Sequence, residues 1–172
     1  RHEERLAPDD QGRSSQQDGG HDLAAGDRRR EQSGELAGLR RLRTFTMPDL
    51  HTLARDEKSA REEFLRQMDL SMACVSDFGL DYEVAVRFVR GFLEEDPDFA
   101  SEIVKRADRP VLMEIWDDRF FYFVAKLEFN FVDSQEKASC LSTVQIDVEN
   151  TERFDITHGN EVRQRRNCIL SH

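Results

Sequence analysis

Between Arg119 and Asp133 the chain alternates. Phe121, Phe123, Leu127, Phe129 and Phe131 fall on one side of an extended backbone, and Tyr122, Lys126, Glu128 and Asn130 fall on the other. Successive strand side chains point to opposite faces, so this run predicts a strand with one face in a core and one polar face. The pattern recurs. Residues 141–148 set Val144, Ile146 and Val148 against Thr143, Gln145 and Asp147, and Ser134 to Lys137 reads as a polar turn between the two runs. Tyr82, Val84, Val86 and Phe88 alternate with Asp81, Glu83 and Arg87 over 80–88. Val111 to Trp116 is short and apolar, and Ile169 and Leu170 begin a last strand. Helical spacing is clear in two places, and a short helix or turn is expected after Asn150. Over 56–77, Ala60, Phe64, Met68, Met72 and Val75 recur at three- and four-residue intervals, with Gly79 placed as a C-cap. Pro97 to Ala107 carries proline in its first turn and Lys105 and Arg106 in its last. Strands and helices do not alternate as βαβ units. The expectation is therefore an α+β fold, a mostly antiparallel sheet with the 56–77 helix packed on one face.

Composition narrows what such a fold can do. Of 172 residues, 35% are charged and 38% apolar, enough for one domain with a sizeable core. No apolar run approaches the roughly 20 residues of a membrane span, and no secretory leader is recognisable at the polar N-terminus. Cys74, Cys140 and Cys168 are odd in number and widely spaced, which argues against a disulfide framework and for a reducing, cytoplasmic setting. The net charge of −10 disfavours a broad nucleic-acid footprint, so any RNA contact would be local. Residues 1–27 are polar and lack aromatics, and are expected to be disordered or foreign to the fold. The folded domain is expected over 28–172.

The chemistry concentrates around Arg29 to His51, RREQSGELAGLRRLRTFTMPDLH. Ser33, Gly34 and Gly38 punctuate a hairpin-like connection. From Arg41 the chain reads as a strand, one face of which would carry Arg41, Arg43, Phe45, Met47, Asp49 and His51. Arginines suit phosphate, an aromatic plate suits a base, and an acid beside an imidazole suits a polar substrate or a metal. Taken alone, the arginine cluster is either a solvated charge run or a phosphate or RNA contact. His51 is either an ordinary polar residue or a ligand, with His172 as its best partner. The face Thr143, Gln145, Asp147 is either solvent-exposed or a cleft floor, and Lys126 is either an exposed lysine or part of that floor. No P-loop, GxGxxG, Ser-His-Asp arrangement or CxxC is present.

Three segments, RREQSGELAGLRRLRTFTMPDLHTLARD, FYFVAKLEFNFVDS and LSTVQIDVENTERFDI, together resemble the catalytic domain of class II aminoacyl-tRNA synthetases, and most closely the archaeal-type threonyl-tRNA synthetases. The likeness runs over roughly 28–172, from the second signature motif to just before the third, as an internal fragment. It implies a threonine–tRNA ligase: ATP, with Mg2+, activates threonine to threonyl-adenylate, and the threonyl group passes to tRNA(Thr). It implies that Arg29 holds the α-phosphate and the amino acid carboxylate. Glu31 would read the adenine amino group, Arg41 would clamp the distal phosphates, and Phe45 would stack on the base. Thr143, Gln145 and Lys126 would line the same cleft, and Asp49 would bond the threonine hydroxyl. His51 and His172 would hold Zn2+ together with a cysteine lying upstream of the motif. The family pattern also implies a homodimer for the full-length enzyme, with the fragment inactive by itself. The competing reading is a catalytically inactive, synthetase-like module that binds a nucleotide or RNA.

Overall fold

The structure, a computed structural model, describes residues 21–30, 42–159, 165–167 and 169–171. Strand β1 (His21–Arg30) is followed by β2 (Thr44–Ala54), helix α1 (Glu57–Asp77) and β3 (Glu83–Val89). A short α2 (Arg90–Glu95) leads into α3 (Pro97–Ala107), then β4 (Val111–Trp116), β5 (Phe123–Val132) and β6 (Ala138–Asp147). Helix α4 (Asn150–Arg153) and strands β7 (Thr157–Gly159), β8 (Arg165–Asn167) and β9 (Ile169–Ser171) complete the described chain. Seven strands form one sheet in the order β1-β2-β9-β6-β5-β3-β4, and β7 and β8 pair separately. The β3–β4 pairing is parallel and the others in the large sheet are antiparallel. The fold is thus α+β with a mixed sheet, parallel at one edge. The expected boundary at 27/28 falls inside β1, which pairs with β2 along its whole length.

Local chemistry accounts for the helices. Asp56 caps α1, its carboxylate accepting from the Ser59 amide at 2.8 Å while the Ser59 hydroxyl accepts from the Asp56 amide at 3.2 Å. The Ser59 hydroxyl, donating to the carboxylate at 2.6 Å, and the Ser59 amide together hold the Asp56 carboxyl below its ordinary range. The helix ends at Phe78, and Gly79 takes the left-handed backbone (φ +66°) that a side chain would disfavour. Pro97 opens α3, whose cap Asp108 is itself left-handed.

One core forms between the helices and one face of the sheet. Ala60, Phe64, Met68 and Val75 of α1 and Phe99 and Ile103 of α3 meet Val84, Val86, Phe88, Ala125, Leu127, Phe129, Val144 and Ile146. Phe99 receives the edges of Phe64, Phe88 and Phe92, with ring centroids 5.4, 6.1 and 6.0 Å away. Of the residues expected inside, Phe64, Met68, Val84, Phe129, Val144 and Ile146 are buried and Met72 is partly so. The aromatic alternation of β5 departs from its simple reading at both ends. Register shifts at Phe123/Ala125 and Phe129/Asn130 break the two-residue period. Phe123 therefore leaves the core to stack on Phe121 (5.5 Å, interplanar 11°) beside Trp116, and Phe131 is only half-buried. Phe121 precedes the strand and is exposed. No helix among the described residues is long and apolar enough to cross a membrane.

Candidate functional site

Helices take one face of the sheet, and the polar residues singled out in the sequence lie on the other. In β2, Thr52 and Ala54 are buried toward α1. Phe45, Asp49 and His51, at odd positions, therefore face away. Asp49 and His51 are half-buried and in contact, the His51 Nε2 lying 3.2 Å from Asp49 Oδ1. The strand runs straight through Pro48, which sits opposite Gly26, so this face continues as far as His51. Arg29 is the register partner of Phe45. Glu31, Arg41 and His172 lie outside the described residues.

The placement of the last strand depends on Gln67 of α1, buried together with Thr52 and Ser171. Its Nε2 donates to the Ser171 carbonyl (3.2 Å), Thr52 Oγ1 (3.2 Å) and Glu63 Oε1 (3.1 Å), and its Oε1 accepts from the Ser171 hydroxyl at 3.1 Å. Ser171 is thereby held on the helix-facing side, directly opposite Thr52.

On the far side of β9 a row of side chains crosses four strands at one level. Glu114 of β4 pairs with Arg87 of β3, Arg87 with Lys126 of β5, and Lys126 with Gln145 of β6. One position along, Glu128 pairs with Thr143. Arg87 donates to Glu114 Oε2 at 2.7 Å and to Glu128 Oε1 at 2.8 Å, and Lys126 Nζ reaches the same Glu128 oxygen at 2.9 Å. Burial alone would raise the Glu128 carboxyl, but the bonds from Lys126 and Arg87 win and hold it below the ordinary range. Burial pulls Arg87 down, and the bonds from Glu128 and Glu114 overcome it and raise the guanidinium. Bonds from Trp116 and Arg87 lower Glu114. Gln145 is buried, accepts from the Tyr122 hydroxyl at 2.9 Å and donates to Thr143 Oγ1 at 3.4 Å. Asp147 is fully buried and spent on the chain itself, accepting from the amides of Glu149 and Asn150 at 2.8 and 2.9 Å.

The face of Thr143 and Gln145 is therefore partly buried. The structure places Lys126, Thr143 and Gln145 together. Asp49 and His51 share their side of the sheet across β9, about 10 Å away by two strand spacings. Among the described residues no group of three His, Cys, Asp or Glu could hold a metal ion. Tyr122, Arg87, Glu128 and Glu114 join Lys126 and Gln145 on this face in the structure. The alternation had placed Tyr122 and Glu128 on the polar face, and only the cross-strand register connects them to Arg87 and Glu114.

No protein-family model matches the chain. Curated relatives include the threonine–tRNA ligases of Thermococcus kodakarensis, 57% identical over 147 residues, and of Pyrococcus furiosus, 55% identical over the same length, each covering 84% of this chain. The chain spans about a quarter of their length (24%). Among solved structures, the fold resembles one described as the RNA binding domain of threonyl-tRNA synthetase from Cryptosporidium parvum, with a TM-score of 0.70 at 20% identity, covering 88% of this chain and 40% of that one. It also resembles the ThrRS-1 protein of Aeropyrum pernix, with a TM-score of 0.57 at 18% identity, covering 84% of this chain and 36% of that one.

Proposed function

Because the chain is homologous to archaeal threonine–tRNA ligases over 84% of its length, we propose that it forms part of a class II catalytic core that activates threonine with ATP and delivers it to tRNA(Thr). The observation that carries this reading is the sharing of one sheet face by Asp49, His51, Lys126, Thr143 and Gln145, with Arg29 opposite Phe45 at its border. In-line attack of a carboxylate on phosphorus needs little covalent help from a protein. It needs the reactants held in place and the phosphate charge neutralised. Arg29 is assigned to the α-phosphate and the threonine carboxylate, and Arg41 to the distal phosphates with Mg2+. Glu31 and Phe45 take the adenine, and Gln145 and Thr143 line the floor beneath the adenylate. Lys126 supplies positive charge beside them.

Threonine must be told from valine by its hydroxyl. Asp49 is assigned to that group. His51 fits a zinc-ligand role because its imidazole is accessible on the polar face and a carboxylate adjoins it, the usual partner of a ligating histidine. The family pattern assigns His172, which lies outside the described residues, as the second imidazole. A zinc ion held there would bind the amine and hydroxyl of threonine. A site built on a substrate hydroxyl can reject the analogue lacking it by on the order of 10⁴-fold.

The test is threonine-dependent exchange of pyrophosphate into ATP, measured in the complete polypeptide that carries this chain. Arg29→Ala is expected to abolish exchange, since no other residue offers a bidentate phosphate contact at that position. Exchange that persists at the parental rate refutes the assignment. An inactive parent that binds ATP or RNA would instead favour the module reading.

A further inference from the structure

Arg87 and Lys126 are direct cross-strand partners, so two cations stand opposite each other on neighbouring strands. Like charges in that relation repel. The repulsion is resolved by one atom: Glu128 Oε1 accepts from Arg87 at 2.8 Å and from Lys126 at 2.9 Å. Glu128 lies two residues beyond Lys126 on the same strand and the same face. The guanidinium is in turn fixed from its far side by Glu114 at 2.7 Å. The four charges sum to zero, so the cluster is a neutral, directed chain that ends at the Lys126 ammonium. Lys126 carries a long flexible stem, and its other contact is the Phe123 ring, with the ammonium 5.7 Å from the centroid. Its register partner on the remaining side is the buried Gln145.

We propose that Glu128 is the positioning residue for Lys126, anchored by Arg87 and Glu114, and that it aims the ammonium at the substrate floor formed by Gln145 and Thr143. This rests on the reading of that floor as the threonine and ATP cleft. Glu128 touches neither substrate. It cancels the repulsion from Arg87 and restricts the rotamers of Lys126, so that the cation is already in place when a substrate carboxylate or phosphate arrives. Without Glu128, Lys126 loses its carboxylate partner, faces a guanidinium offset by Glu114 alone, and turns away from it. The depressed Glu128 carboxyl, held down by its two cations against the effect of burial, agrees with a counter-ion that stays charged.

A double-mutant cycle in the complete polypeptide tests the proposal. Lys126→Ala, Glu128→Gln and the pair are compared by ATP–pyrophosphate exchange. Glu128→Gln is expected to lower kcat on the order of 10²-fold, the effect of a misplaced group near the reacting atoms, with KM for ATP changed much less. Glu128→Asp should recover most of the loss. Combined with Lys126→Ala, Glu128→Gln should add nothing, because it acts only through the lysine. Losses that multiply in the double variant, or a Glu128→Gln enzyme with parental kcat beside a crippled Lys126→Ala enzyme, overturn the positioning role. Parental activity in Lys126→Ala instead removes the cleft assignment on which the proposal stands. If Glu128→Gln does not fold, Glu114→Gln replaces it at the half-exposed end of the chain, with a smaller loss and the same dependence on Lys126.

Discussion

Gln67 is a polar side chain inside an apolar helix face, and it shows what one residue can decide. It bonds the carbonyl and the hydroxyl of Ser171 as well as Thr52 and Glu63, and so ties three elements at one point. Gln67→Leu would keep the volume and strand those partners. A buried polar group left without a partner costs about 1–3 kcal/mol. A loss of that size is expected in urea unfolding, and an unchanged midpoint would show that water or a shifted strand replaces the amide. Periodicity could not have found Gln67. It recognises apolar faces, and Gln67 falls between Phe64 and Met68 among residues that read as solvent-facing. His51, Lys126, Thr143 and Gln145 were recognised as candidates because their chemistry is visible in the residue type. Glu128 and Arg87 look like ordinary surface charges until the register sets them against Lys126.

At the scale of elements, α1, α3, β3, β4 and β6 were legible within a residue or a few, because each carries its own period and its own end signals. β1 was not. Its sequence, HDLAAGDRRR, has no apolar alternation, and it is a strand because β2 pairs with it over ten positions. The face of Phe123 is not legible in one strand because a bulge is a property of two strands together. α2 lacked enough length to show a period. The core beneath these elements centres on Phe64, fully buried and set edge-on to Phe99. Phe64→Ala is expected to cost about 3–5 kcal/mol, from lost burial and the cavity left between α1 and α3. Chemical denaturation measures this, and a cost below about 1 kcal/mol would mean that the helices close the gap.

The molecule as a whole carries a net charge of −10, yet several of its carboxylates are stabilised by specific partners. Glu128, Glu114 and Asp56 all have folded-state pKa values below their ordinary ones. A group of that kind contributes stability above its unfolded pKa, and the contribution is lost as pH falls through the folded value. Glu57, raised by burial and by its neighbour Glu95, works in the opposite sense. Through Glu128, Glu114 and Asp56, stability should fall as pH drops from about 5 to about 3. Denaturant melts across that interval check this. Glu128→Gln should flatten the dependence, and a parent whose stability is level or rising toward pH 3 would contradict it. Strand order sets a different kind of limit. β9 is the link between the β1–β2 ribbon and the β6-β5-β3-β4 half of the sheet, and its anchor Gln67 lies 104 residues before Ser171. During synthesis the two half-sheets can form on either side of a gap that nothing fills until the ribosome has released residue 171. A nascent chain therefore presents the β2 edge unpaired from its completion at Ala54 until β9 arrives, and the β6 edge over the short stretch after Asp147, and both are templates for pairing with the wrong strand.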